Sequence, residues 1–110
     1  MSTEKYNGWT NYETWNAALC VDNNDAGDQA YWNEQASECY DDAEADKTFT
    51  KLENATLALS ERMKEQFEEA AEQWMPDQSS MFAYFINASL SAVNWHEIAE
   101  HYTKEIDQSE

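Results

Sequence analysis

The residue pattern closest to a metal site is an acidic turn near the N-terminus. Asp22, Asn24 and Gly27 match the first, third and sixth positions of a calcium-binding loop. Such a loop also needs an oxygen ligand at its fifth position and a Glu at its twelfth. Ala26 and Asn33 occupy those two positions here. Because two ligands are missing, the sequence predicts a solvated turn between helices and no metal site.

The histidines and cysteines are also spaced unfavourably for chemistry. His96 and His101 are five residues apart, whereas a helical zinc-protease motif needs its two histidines four apart on one face. Cys20 and Cys39 lie in an acidic sequence, which disfavours a reactive thiolate. We expect both to be free thiols that behave as small apolar residues. The sequence therefore predicts no catalytic residue, no metal and no cofactor, and a protein that is not an enzyme.

Carboxylates dominate the chain. It carries 23 Asp and Glu against 6 Lys and Arg, for a formal net charge of -17 in 110 residues. No basic residue occurs between Lys5 and Lys47. Such a surface repels nucleic acids and anionic membranes and attracts basic proteins. We therefore expect the partner to be a basic protein that binds nucleic acid, and we expect no direct binding to nucleic acid or membrane.

The composition favours helices. The hydrophobic share of 42% and the aromatic share of 14% argue against disorder, and two Gly and one Pro leave little turn chemistry for a β-rich fold. We predict an all-α, compact single-domain bundle of about five helices over residues 1–110, frayed at 1–8 and 107–110. No signal peptide and no stretch of ~20 apolar residues is visible, so we expect a cytoplasmic protein.

Capping signals and periodicity place the first two helices. Thr10 and Glu13 form a capping-box pattern that opens the first helix, and turn residues end it near Asn23. Its predicted apolar stripe consists of Tyr12, Trp15, Ala18 and Leu19. The second helix is predicted over residues 28–45, with an apolar stripe of Trp32, Ala36, Cys39 and Ala43 and with Tyr31 and Tyr40 at its margin.

Three further helices follow. The third runs from Leu52 towards Pro76, which ends it. The segment from Phe82 to Val93 is the most apolar part of the chain, so we expect the fourth helix to be central and buried. The last helix begins at Asn94, which starts a second capping-box pattern.

Two segments, 7–15 (NGWTNYETW) and 93–101 (VNWHEIAEH), carry recognisable motifs. They resemble the two ends of a group of small uncharacterised proteins encoded by phages and plasmids, which pair an NGWTNYETW-like opening with a closing NWxEIA motif. The resemblance implies an origin in a mobile element and supplies no catalytic residues. From the residues themselves both motifs are capped helix starts, and we expect Trp9 or Trp15 to pack against Trp95 and join the chain ends.

The acidic residues concentrate on the second and third helices. Carboxylates three or four residues apart on a helix are neighbours, so a row of them lays negative charge along a rigid line, as a nucleic-acid strand does. We predict a DNA-mimicking surface formed by Asp22, Asp25, Asp28, Glu34, Glu38, Asp41, Asp42, Glu44, Asp46, Glu61, Glu65, Glu68, Glu69 and Glu72. Its target would be a host DNA-binding or defence protein: a restriction enzyme, a CRISPR effector, or a transcription or nucleoid factor.

Other interpretations remain open at this stage. The acidity can serve only solubility or salt adaptation. The chain can be a protein–protein interaction module whose aromatic patch includes Trp32, Tyr31 and Tyr40 and binds a host protein or a second copy as a homodimer. A third hypothesis is an enzyme that acts on a small cationic substrate, for which a deep pocket with strongly shifted carboxylates would be required.

Overall fold

Five α-helices make up most of the described part of the chain. The computed structural model describes residues 8–23, 28–74 and 81–109. The helices are α1 (Tyr12–Asn23), α2 (Asp28–Asp42), α3 (Lys51–Trp74), α4 (Met81–Ala92) and α5 (Trp95–Ser109). The prediction of an all-α bundle of about five helices is confirmed. Within the described ranges, no helix has both the length and the apolar character that a membrane span requires.

A tight turn joins α2 to α3. The Asp46 Oδ1 atom accepts hydrogen bonds from the backbone N–H groups of Thr48 and Phe49, at 2.8 and 2.7 Å. A capping box then starts α3, because Thr50 Oγ1 accepts from the Glu53 N–H and Glu53 Oε1 accepts from the Thr50 N–H. The predicted extension of the second helix to residue 45 is wrong, since α2 ends at Asp42 and this turn begins soon after it.

The centre of the core lies between α2, α3 and α5. Leu59 and Met63 of α3 and Ile98 of α5 are fully or almost fully buried there. The Phe67 ring stacks between Trp32 and Trp95, with ring centroids 6.0 and 5.3 Å apart. This aromatic stack ties the three helices together at one end of the core.

The alternative interpretation of an exposed aromatic patch on the second helix does not fit the structure. Trp32 and Tyr40 are only 2% and 7% exposed, and the Tyr40 hydroxyl donates to Asp107 Oδ1 on α5 at 2.8 Å. Of the three residues, only Tyr31 lies at the surface. The physical reason is that α2 is held between α3 and α5, so both sides of its apolar stripe are covered.

The expectation for α4 is also wrong, because this helix lies on the outside of the bundle. Among the described helices, it packs against α1 and α3 and does not contact α2 or α5. Ala83 is buried, but five large apolar side chains are between 41% and 68% exposed: Met81, Phe82, Tyr84, Phe85 and Ile86. Apolar composition indicates a tendency towards burial, but it does not specify that the covering surface belongs to the same chain.

The buried side of α1 also differs from the prediction. Thr14, Ala18 and Val21 are buried, whereas Tyr12 and Leu19 are 51% and 41% exposed. Helical periodicity allows either stripe, and the small residues are the ones that let α1 approach its neighbours closely.

The start of α1 is set by Asn11 rather than by the predicted Thr10–Glu13 capping box. Asn11 Oδ1 accepts from the backbone N–H of Thr14 at 2.8 Å. The Thr10 N–H is already engaged elsewhere, since it donates to Glu97 Oε1 on α5 at 3.0 Å. The N-cap residue of α1 is therefore Asn11, one residue after the predicted Thr10.

The two motif segments form one joint. Asn94 caps α5 as predicted, through Oδ1 and the Glu97 N–H at 3.1 Å. Its own backbone N–H donates to the buried hydroxyl of Thr14 at 2.8 Å, and the Asn11 side chain donates to the Ala92 carbonyl at 2.8 Å. Most of the polar residues that the two motifs supply thus bond across the joint.

An aromatic contact completes the joint, with a partner other than the one expected. Trp9 stacks on His101 with ring centroids 4.3 Å apart, whereas the Trp95 ring stacks on Phe67. The joint holds α1 against the start of α5, and α1 also packs against α2.

Candidate protein-binding surface

A line of glutamates runs along the solvent side of α3. At about 100° per residue, these side chains lie within roughly 100° of the helix circumference, opposite Leu59 and Met63. The line consists of Glu61, Glu65, Glu68, Glu69 and Glu72; Glu68 is half-buried and the others are exposed. It is about 16 Å long, with one carboxylate per ~4 Å. That linear density is close to the one phosphate per ~3.4 Å of a DNA strand.

A second line runs along α2. Its members are Glu34, Glu38, Asp41 and Asp42, all exposed and all opposite the buried stripe of the helix. They span about 12 Å, with nearly the same spacing as on α3. The exposed Glu44 and Asp46 extend this line into the turn. We call the two lines together the acidic face.

The two lines meet at the α2–α3 seam. The Tyr31 hydroxyl donates to Gln66 Oε1 at 2.9 Å, and Arg62 donates to Gln35 Oε1 at 2.8 Å. These pairs show that the two helices run antiparallel, because the paired position on α3 falls from 66 to 62 as the position on α2 rises from 31 to 35. A shallow groove of about 460 Å³ follows the seam, and Glu65 and Glu69 are among the residues that line it.

Few carboxylates of the acidic face are neutralised. Among the described residues, the ion pairs are Arg62 with Glu38, at 3.2 Å, and Lys104 with Glu100, at 3.8 Å. Lys51 bonds to groups other than the carboxylates of the face. Its ammonium donates to the Ala43 carbonyl at 2.9 Å and lies 4.6 Å from the centroid of the Tyr40 ring. The field of the face is therefore largely uncompensated.

Asp46 has a structural role in the α2–α3 turn in addition to its place in the acidic face. The backbone N–H of Phe49 first, and that of Thr48 second, hold the pKa of this carboxyl below its ordinary value. Its negative charge therefore supports the α2–α3 turn. This local role adds to its place in the line.

Three of the predicted surface residues are not placed by the structure. Asp25 lies outside the described residues. Asp22 and Asp28 belong to α1 and α2, but their side chains are likewise outside the description.

Charge is distributed unevenly over the molecule. Residues 28–74, which contain α2 and α3, carry thirteen carboxylates and four basic side chains. α4 carries no charged residue, and its apolar side chains face solvent. α5 is acidic as well, with four carboxylates and one lysine, so the unevenness consists in the uncharged, exposed α4.

The structure describes the thiols and the possible metal ligands of the chain only in part. Cys39 is a buried free thiol, and burial is the main cause that raises its pKa, so its thiolate is disfavoured. The side chain of Cys20 is not described. In the part of the chain that the structure describes, no group of three His, Cys, Asp or Glu side chains is arranged to hold a metal ion.

Sequence reasoning missed the neutral members of the seam. Gln35 and Gln66 are spaced along the same sides of α2 and α3 as the carboxylates, and Arg62 lies between them. A signal existed, because Arg62 and Lys64 are the basic residues within the acidic part of α3. Of these two, Arg62 is the one that bonds to α2, where it contacts Gln35 and Glu38 and so links two negatively charged helices.

The chain belongs to a protein family that is described as a family of unknown function (DUF7249), whose model matches residues 2–109. Neither the curated proteins nor the solved structures gave a match to this chain. That description assigns no activity to the family.

Proposed function

We propose that this protein is a non-enzymatic inhibitor from a phage or another mobile element that imitates DNA. Its acidic face would occupy the basic cleft of a host protein that binds nucleic acid. Candidate targets are restriction enzymes, CRISPR effectors, and transcription or nucleoid factors.

The observation that carries the proposal is the linear charge density of the acidic face. Proteins that bind DNA gain much of their affinity from Lys and Arg side chains that neutralise phosphates. A carboxylate every ~4 Å on two rigid neighbouring helices offers the same cleft a comparable row of negative charge. A helix scaffold also avoids the ordering cost that a disordered acidic tail would have to meet on binding.

The unevenness of the charge also supports mimicry over salt adaptation. An acidity that served only solvation would be expected over the whole surface. Here α4 is exposed but uncharged, while the α2–α3 side carries like charges at adjacent positions. Glu61 with Glu65, Glu65 with Glu69, and Glu68 with Glu72 each destabilise α3 mildly. Keeping such pairs is consistent with a binding role for them.

The test is affinity capture from a host lysate at low salt. The immobilised protein is compared with a variant of its α3 line, Glu61→Gln/Glu65→Gln/Glu72→Gln, and with a control that loses the same charge elsewhere, Glu13→Gln/Glu100→Gln/Glu105→Gln. We expect the wild type and the control to retain a basic nucleic-acid-binding protein that duplex DNA releases. Equal capture by the variant of the α3 line, or no release by DNA, would contradict the proposal.

A further inference from the structure

The exposed side of α4 requires an explanation that the acidic face does not give. Five large side chains, Met81, Phe82, Tyr84, Phe85 and Ile86, are exposed there. Together they present roughly 600 Å² of apolar surface. The largest apolar patch of a typical monomer is roughly 300–600 Å², and a helix that is apolar around most of its circumference is normally covered.

A groove borders the same surface. It lies between α1 and α4 and has a volume of about 430 Å³. Most of its lining is apolar and includes Val21, Phe67, Leu90 and Trp95, but the polar side chains of Glu13, Asn16 and Ser89 line it as well. Ile86 belongs both to the groove and to the exposed side of α4, and Tyr12 borders it from α1. The exposed side of α4 and the groove therefore form one continuous apolar surface, which we call the α4 surface.

We propose that the α4 surface is the interface of a two-fold symmetric homodimer. In a two-fold interface the same patch meets itself, and helix α4 itself brings no carboxylate to that contact, because it carries no charge. Glu13 of α1 is the carboxylate that lines the neighbouring groove. A contact through the α2–α3 side would bring two acidic faces together. The charge of the protein thus directs self-association to this helix.

The area is adequate for such a dimer. A standard interface buries roughly 800 Å² per partner, and the exposed α4 side chains with the neighbouring Tyr12 and the groove approach that value. Since α4 packs against α3 but not against α2, a dimer through α4 leaves at least the α2 line of each acidic face accessible. The inference is independent of DNA mimicry, because an α4 dimer can form whatever the acidic face binds.

Sedimentation equilibrium of the full chain tests the proposal. We expect a concentration-dependent dimer of twice 12.8 kDa. Phe85→Glu places a charge in the α4 surface, and we expect it to raise the dimer dissociation constant at least tenfold. The control is Leu57→Glu, which adds the same charge at an exposed apolar residue of α3 and should leave dimerisation unchanged. Phe82→Ser adds no charge and should weaken the dimer in the same direction.

Salt separates this proposal from the proposed function. Because salt screens the repulsion between two acidic copies, the dimer should be as strong or stronger at high salt, whereas binding to a basic target should weaken. Circular dichroism checks that each variant is folded. The oligomeric state of the wild type tests the proposal even if a variant fails to fold. A wild type that stays monomeric at every concentration and salt overturns the proposal. The proposal is also overturned if the wild type dimerises but neither Phe85→Glu nor Phe82→Ser weakens the dimer.

Discussion

The Arg62 guanidinium lies 3.2 Å from the Glu38 carboxylate and joins the two lines of the acidic face. Both side chains remain substantially exposed, so the pair is screened by water and adds little to stability. Its larger effect is electrostatic, because it places a positive charge within a negative surface that we propose to bind a basic cleft.

Replacing this cation should therefore improve binding at little cost. For Arg62→Gln we expect the free energy of unfolding to fall by about 1 kcal/mol or less, and the affinity for a basic target to rise several-fold. The control is Lys104→Gln, which breaks the Lys104–Glu100 pair on α5 and should leave the affinity nearly unchanged. Titration with the captured target measures the affinity of the two variants, and urea denaturation measures their free energy of unfolding. A loss of affinity in Arg62→Gln would contradict a mainly electrostatic interaction.

Glu65 should show opposite effects on stability and binding. It forms like-charge pairs with Glu61 and Glu69 at spacings of four residues, so Glu65→Gln should raise the free energy of unfolding by about 0.5–1 kcal/mol. The same change should weaken target binding. Urea denaturation measures the first effect. Glu105→Gln, with no carboxylate four residues away, should change neither quantity appreciably.

Asp46 gives a pH-dependent prediction. The folded state holds the pKa of its carboxyl below the ordinary value of 3.8. The ionised form therefore stabilises the fold above that value, and this contribution is lost as the pH falls through the lower pKa of the folded state. Asp46→Ala should be less stable than the wild type at neutral pH, and the difference should shrink in acid.

Asp46→Asn separates charge from hydrogen bonding in that experiment. An Asn side chain keeps an acceptor for the Thr48 and Phe49 N–H groups but does not ionise. We expect it to retain part of the neutral-pH stability without the acid-dependent loss. Denaturation curves between neutral pH and the acid range provide the comparison, and a wild-type pH profile in Asp46→Ala would refute the assignment.

Thr14 tests the joint between the chain ends. Its buried hydroxyl accepts from the Asn94 backbone N–H, so Thr14→Val leaves that donor without its partner. We expect a loss of about 1–3 kcal/mol in the free energy of unfolding. Thr48→Val, at an exposed position in the α2–α3 turn, should stay within about 0.5 kcal/mol of the wild type. Equal effects of the two substitutions would show that the joint contributes little.

The helices could be predicted from the sequence because periodicity and caps are local signals. Asn94 caps α5 as its sequence suggests, and the members of the two acidic lines follow directly from positions on α2 and α3. Spacing alone distinguishes the outer face of a long amphipathic helix from its buried side.

The burial of individual aromatic side chains could not be predicted, because it depends on how the helices pack against one another. Trp32 is buried as its place in the apolar stripe of α2 predicts, but Tyr40, predicted at the margin of that stripe, is covered as well. Phe82 and Phe85 were expected in the centre but face solvent. A single sequence gives the apolar content of each helix, but it does not give the order in which helices pack. The Arg62–Gln35 contact across the seam was likewise beyond local reasoning, because it depends on the register of α2 against α3.

The most direct test of DNA mimicry is the affinity for the captured basic protein as a function of salt, with duplex DNA as competitor. The account predicts that the affinity falls steeply between about 0.1 M and about 0.5 M NaCl, that DNA competes for the same site, and that Glu61→Gln/Glu65→Gln/Glu72→Gln binds at least tenfold more weakly than the charge-matched control. Binding that is equal at the two salt concentrations and indifferent to DNA would contradict it.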